Sequence, residues 1–95
     1  MTRDELILIL RAQQTALQAE GVTALFLFGS QARQEATPTS DVDVFIDYQE
    51  GFSLLELVGV RQLIEDKLGL SVDVVPRTSL AFMQENPEQD AIRVF

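Results

Sequence analysis

The sequence predicts one small α/β (α+β) domain over residues 1–95, in which a mixed β-sheet packs against helices. Three observations lead to this fold class. Hydrophobic residues make up 46% of the chain and charged residues 23%, so the chain can build a core and does not fit the disordered class. Segments with helical spacing alternate with short apolar segments that are typical of strands. Internal repeats, low-complexity tracts and linkers are absent from the sequence, which favours a single domain.

The first third of the chain predicts a helix, a strand and a short second helix. Residues 4–20 are predicted to form the first helix. A capping-box motif at Thr2 to Glu5 marks its start, and Gly21 marks its end. The core face of this helix is predicted from five apolar positions: Leu6, Ile9, Leu10, Ala16 and Leu17. Residues 22–28 carry no charge, which indicates a strand buried on both faces. A turn at 29–34 then leads into a short helix.

The rest of the chain predicts two more strands and a long helix. Residues 41–47 alternate as a strand, and residues 70–75 form another strand closed by Pro76. Between them, a second capping box at Ser53 opens a helix that ends at Gly69. Its core face is predicted as Leu54, Leu57, Val58, Ile64 and Leu68. In the tail we expect short helices at 80–83 and from Asn86-Pro87, and either an edge strand or a docking segment at 92–95.

The composition excludes several kinds of chemistry. Without Cys or His the chain can form no disulfide, zinc site of the usual ligands, thiol nucleophile or His-based triad. Seven basic and fifteen acidic residues give a net charge of −8, which argues against direct binding to nucleic acid. The apolar runs are too short to span a membrane and no signal peptide is apparent. We therefore expect a cytoplasmic protein that contacts no membrane.

Three aspartates are candidates for a metal site. Aspartate is disfavoured in strands, yet Asp41 and Asp43 lie on one face of the second predicted strand, where both carboxylates could hold a divalent cation. Asp73 would join them if the third strand neighbours the second. Taken singly, the first two also fit the solvated face of an edge strand, and Asp73 also fits an ordinary surface acid.

A candidate anion site precedes the acidic pair. Gly29 and Ser30 stand between a strand and a helix start, where backbone N–H groups can bind phosphate, and Arg33 can add charged donors. Each feature alone has a simpler explanation, since Gly-Ser is a common turn dipeptide and a lone arginine is commonly a solvated surface residue.

Taken together, residues 22–76 resemble the DNA polymerase β-like nucleotidyltransferase superfamily, in particular its minimal nucleotidyltransferase (MNT) branch. The matching motifs are Gly29-Ser30 followed by Ala32-Arg33, then Ser40-Asp41-Val42-Asp43, then the lone Asp73. Gln34 departs from the pattern, because many relatives have glycine after the arginine.

The resemblance implies a minimal nucleotidyltransferase domain over 1–95 that performs two-metal nucleotidyl transfer. Asp41 and Asp43 would bind two Mg²⁺ ions, and Asp73 would complete the site of the ion that activates the acceptor hydroxyl. Gly29 and Ser30 would seat the triphosphate of ATP, Arg33 would steady a phosphate or support the turn, and Ser40 would orient the acidic loop.

The resemblance also implies an acceptor. Free-standing MNT proteins resemble the antitoxin half of HEPN/MNT toxin–antitoxin pairs, which transfers AMP from ATP to a tyrosine of the partner ribonuclease. We therefore expect a hetero-oligomer with a HEPN-type ribonuclease toxin encoded nearby.

Two other functions remain open at this stage. A catalytically inactive acidic antitoxin would neutralise its partner by binding alone, with acids that match a basic surface. These acids are Glu35, Asp47, Glu50, Glu65, Asp66, Glu85, Glu88 and Asp90. A phosphate-accepting receiver domain fits poorly, because the single lysine, Lys67, belongs to a predicted helix and no lysine follows a late strand.

Overall fold

The computed structural model describes residues 1–37, 41–82 and 88–95. The proposed orienting role of Ser40 and the predicted helix start at Asn86-Pro87 lie outside these residues. Along the chain the elements are α1 (Arg3–Ala12), α2 (Gln14–Ala19), β1 (Val22–Phe28), α3 (Gly29–Ala32), β2 (Val42–Tyr48), α4 (Leu54–Leu68), β3 (Val72–Pro76), a 3₁₀ helix (Arg77–Phe82) and β4 (Ile92–Arg93).

The four strands form one mixed sheet in the order β3-β2-β1-β4. β1 pairs antiparallel with both β2 and β4, whereas β2 and β3 are parallel and are joined by the crossover helix α4. The predicted α+β class and mixed sheet are confirmed, and the tail does end in a short edge strand. β2 is an interior strand, so the interpretation of its aspartates as charges of an edge strand is wrong.

The two faces of the sheet are covered differently. The helices α1, α2 and α4 pack on one face, where β2 contributes Val42, Val44 and Ile46 to the main core. The opposite face carries a smaller cluster around Phe28, Phe45 and Leu80 of the 3₁₀ helix. Because side chains alternate along a strand, Asp43 of β2 shares the face of Phe45 rather than that of the helices.

Both predicted capping boxes are present, but the first predicted helix is two helices. Thr2 and Glu5 cap α1, and Ser53 and Glu56 cap α4. Helix geometry breaks at Gln13, which separates α1 from α2. Glutamine is an ordinary helix former, so the sequence gives no sign of this break. Near the break, Arg11 Nε donates to the carbonyl of Val94 at 3.1 Å, a tertiary contact that holds α1 against the segment just after β4.

The predicted core face of α4 is partly wrong. Val60, Ile64 and Leu68 are its buried residues, whereas Leu54 and Val58 are 77% and 60% exposed. The helix is apolar on two sides, so periodicity alone did not decide which side meets the sheet. No helix in the described ranges combines the length and apolar character that a membrane crossing requires.

Candidate active site

The turn after β1 lies directly against a carboxylate of β2. Gly29 has a left-handed backbone with φ of +74°, and a Cβ atom placed there would lie 2.5 Å from Asp43 Oδ2. In the antiparallel pairing, Phe28 stands opposite Asp43, which brings the end of β1 to this carboxylate. Glycine is therefore required at position 29 for two independent reasons, the backbone conformation and the approach of the carboxylate.

A second carboxylate faces Asp43 from the neighbouring strand. The parallel pairing of β2 and β3 sets Asp43 directly beside Asp73. The sequence predicted this arrangement only for the case in which the two strands are neighbours. Asp41 immediately precedes β2 and is exposed, as is Asp73, whereas Asp43 is half-buried. The three predicted aspartates thus lie at one end of the sheet, on two adjacent strands.

The electrostatics of Asp43 follow from this crowding. Burial raises the pKa of the Asp43 carboxyl, the negative charges of Asp73 and Asp41 raise it further, and Arg33 acts in the opposite direction. A pKa raised by like charges means that the ionised pair is under electrostatic repulsion. A cation at this point would relieve that repulsion.

Arg33 acts on this site as a charge and also has a local partner. Its Nε lies 3.1 Å from Glu35 Oε2, two residues further along the chain. Glu35, which we expected to be available to a partner protein, is therefore in part the counter-ion of Arg33. The α3 turn is fixed further by a hydrogen bond from the Glu35 N–H to the Ser30 carbonyl at 2.9 Å.

Gln34, the departure from the family pattern, has a strained backbone. Its φ of 59° makes it the one non-glycine residue with positive φ among the described residues. A glycine here would avoid this strain, since a left-handed conformation costs an L-residue roughly 1–2 kcal/mol. The stability gained with glycine would be partly offset, because glycine gives the unfolded chain more conformational freedom.

We therefore expect Gln34→Gly to stabilise the protein by up to about 1 kcal/mol. Urea unfolding followed by circular dichroism would measure the change. A matched replacement, Gln31→Gly, removes the same side chain from the helical geometry of α3 and should be destabilising instead. Destabilisation by Gln34→Gly would show that the glutamine side chain makes contacts that outweigh the strain.

The carboxylates of Asp41, Asp43 and Asp73 suit Mg²⁺ in an open site, in which waters and substrate also act as ligands. Carboxylate oxygens are the ligands this ion prefers, and Mg²⁺ usually retains waters and binds substrate phosphates in addition to one or two carboxylates. Within residues 1–37, 41–82 and 88–95, no three acidic side chains are grouped so that they could hold one metal ion. The chain thus offers adjacent carboxylates rather than a closed cage, and a phosphate-bearing substrate would have to complete the coordination.

The sequence did not reveal one ion pair on the sheet face that carries Asp43. Arg77 binds Asp47 through Nε and through Nη2, the latter at 3.1 Å, and its guanidinium lies 4.7 Å from the centre of the Phe26 ring. Arg77 also pairs with Glu88 at 3.0 Å. Two acids that were expected to face a partner, Asp47 and Glu88, are thus engaged within the chain. The one sign of this ion pair in the sequence was that Asp47 lies on the same face of its predicted strand as Asp43.

Comparisons with known proteins identify the family of this chain. A family model described as a nucleotidyltransferase domain matches residues 8–94. The protein adenylyltransferase MntA of Thermococcus cleftensis is 40% identical over 81 residues, which cover 84% of this chain and 82% of that protein.

Two solved structures share the fold. One, provisionally described as a minimal nucleotidyltransferase, superposes with a TM-score of 0.74 at 32% identity, covering 97% of this chain and 95% of that one. A toxin–antitoxin structure with AMP-PNP superposes with a TM-score of 0.71, covering 90% of this chain and 72% of that one. The latter is 16% identical, so it shows the fold alone.

Proposed function

The chain belongs to the nucleotidyltransferase domain family, and from this premise we propose that it is an antitoxin that transfers AMP from ATP to a tyrosine hydroxyl of a HEPN-type ribonuclease toxin. The observation that carries the proposal is the contact of Gly29 with the Asp43 carboxylate, beside Asp73 on the adjacent strand. The adenylyltransferase name of the Thermococcus relative supports AMP as the transferred group. The fold neighbour crystallised as a toxin–antitoxin pair supports the choice of partner.

In this proposal each site residue has one role. Gly29 and Ser30 hold the triphosphate of ATP, with Arg33 as the nearby positive charge. Adjacent carboxylates among Asp41, Asp43 and Asp73 would bind Mg²⁺ together with the substrate phosphates, and the bound ion would stabilise negative charge on those phosphates. The acceptor oxygen forms a bond to the α-phosphorus, the bond from that phosphorus to the oxygen that bridges to the β-phosphate breaks, the hydroxyl proton passes to solvent, and pyrophosphate is released.

The close approach of the turn to a carboxylate supports phosphate binding beside the candidate metal ligands. Because Gly29 has no side chain, the phosphate-binding turn and the Asp43 carboxylate are in direct contact. The phosphates of a nucleotide held at the turn would therefore lie near the carboxylates. Positioning of this kind supplies much of the rate enhancement in phosphoryl-group chemistry.

The experiment that tests this function is intact-mass spectrometry of the neighbouring-gene ribonuclease after incubation with this protein, ATP and Mg²⁺. We expect the mass to increase by one or more AMP units and peptide mapping to place them on tyrosine. The increase should be absent when EDTA is added, and also when Asp43→Ala replaces the wild-type protein. Labelling that persists with Asp43→Ala would contradict the role given to Asp43.

Neutralisation by binding alone is the second candidate, and the exposed apolar residues of α4 favour it. In that case the ribonuclease would keep its mass, form a stable complex and lose activity. Replacing Asp41, Asp43 and Asp73 together by alanine would then leave neutralisation intact. Under the proposed transfer, the same triple variant fails to modify the toxin.

A further inference from the structure

The first turns of α4 carry an exposed apolar patch formed by Leu54, Leu55 and Val58. Their side chains are 77%, 80% and 60% exposed, respectively. Residues three and four positions apart are neighbours on a helix surface, so Val58 lies beside both Leu55 and Leu54 and joins them into one area. Beyond Val58 the outward side of α4 turns polar, with Arg61, Gln62 and Asp66 exposed. The apolar area is therefore confined to the N-terminal half of the helix.

An acidic rim borders this patch. A Cβ atom on Gly59 would lie 4.0 Å from Glu20 Oε2, which places the Glu20 carboxylate beside the helix next to Val58. Glu20, Glu50 and Glu56 also line one cavity at the foot of α4, and no basic residue lines it. At the other end of the patch Arg61 is paired with Glu65 at 3.6 Å, so the border as a whole is net acidic. An apolar centre with a net acidic border is typical of a surface that selects its partner by charge.

The rim argues against a second copy of this chain as the occupant. A symmetric dimer places the same patch of both copies face to face. Here the acidic rim of one copy would meet the acidic rim of the other, and like charges across an interface are costly. The patch instead fits a different protein that offers an apolar surface flanked by lysine or arginine.

We propose that the Leu54–Leu55–Val58 patch is the docking surface for the toxin, which binds through an apolar area bordered by basic residues. The identity of this occupant rests on the proposed function. The chemistry of the occupant follows from the exposed leucines and the carboxylates around them.

The patch lies far from the candidate active site. β2 runs from Asp43 to Tyr48 before the chain turns into α4, and five strand residues span roughly 17 Å. In addition, Asp43 is on the face of the sheet opposite to the helices. Docking and AMP transfer therefore use separate parts of the surface, and a substitution in one leaves the other in place.

The test is the affinity of the Leu55→Lys variant for the purified neighbouring-gene ribonuclease, measured by isothermal titration calorimetry. We expect Kd to rise at least about 30-fold, as for a central interface side chain. Gln62→Lys is the matched control, because it adds the same charge on the same side of the same helix two turns away, and its Kd should stay within about 2-fold. Leu55→Ser, which adds no charge, should also weaken binding.

The possible outcomes separate this proposal from the proposed function. Wild-type affinity in both Leu55 variants, with circular dichroism showing intact folding, would overturn the docking surface while leaving AMP transfer unaffected. A wild-type dimer that becomes monomeric with Leu55→Lys in analytical ultracentrifugation would overturn it in favour of a second copy. Binding that depends on Leu55 without any AMP transfer would support the docking surface and overturn the transfer.

Asp43→Asn should bind like wild type, and a loss of binding there would contradict the separation of the two surfaces.

Discussion

Replacing Asp43 by asparagine is expected to abolish AMP transfer and, at the same time, to stabilise the metal-free protein. In the proposed function Asp43 is a metal ligand, and loss of such a carboxylate removes several kcal/mol of transition-state stabilisation, which corresponds to at least about 100-fold in rate. The gain in stability has the opposite origin. Burial and the charges of Asp73 and Asp41 disfavour the ionised carboxylate, and asparagine carries no charge.

Initial transfer rates at saturating ATP and Mg²⁺, together with urea unfolding in EDTA, would measure both effects. Asp66→Asn is the matched control, because it makes the same replacement at an exposed position on α4. It should leave the rate unchanged and alter the free energy of unfolding by no more than about 0.5 kcal/mol. A transfer rate for Asp43→Asn within a few-fold of wild type would exclude Asp43 as a metal ligand.

The Asp43 carboxyl also makes the stability of the metal-free protein depend on pH, with a penalty that is lost on acidification. Its folded-state pKa lies above the unfolded value, so the folded protein holds this proton more tightly. The penalty from Asp43 is complete at neutral pH and disappears as the pH falls from the raised pKa to the ordinary aspartate value. Without metal, the stability advantage of Asp43→Asn over wild type should therefore shrink across this acidic range. An advantage that is constant with pH would show that ionisation is not its cause.

Gly29→Ala is expected to have the second largest effect, a loss of at least about 100-fold in transfer rate. The new Cβ would lie 2.5 Å from Asp43 Oδ2, so the carboxylate or the turn must move. A displacement of about 1 Å in an active site can cost about 100-fold in rate. The left-handed φ of +74° adds a destabilisation of roughly 1–2 kcal/mol.

Gly51→Ala separates the two causes. Gly51 also has a left-handed backbone, with φ of +87°, but no atom lies within 4 Å of its potential Cβ. The Gly51→Ala variant should therefore lose roughly 1–2 kcal/mol of stability, as Gly29→Ala does from its backbone alone, and retain its transfer rate at saturating partner concentration. Equal loss of activity in both variants would mean that backbone strain, and not the contact with Asp43, explains the result.

The sequence by itself determined the features that depend on local geometry. The bounds of β1, both capping boxes and the shared face of Asp43 and Phe45 all follow from the spacing of residues along a single helix or strand. The family resemblance likewise rests on motifs within short segments, and the family assignment is confirmed. These features need no knowledge of which strands are neighbours.

Only the tertiary structure decided which of these pieces meet. The parallel pairing that sets Asp73 beside Asp43 joins residues thirty positions apart, and the sequence offered it only as a condition. The contact of Gly29 with Asp43 and the ion pair of Arg77 with Asp47 are also long-range, as is the choice of which apolar side of α4 is buried. Periodicity fixes the direction of a side chain relative to its own element, whereas the packing of elements fixes what that side chain contacts.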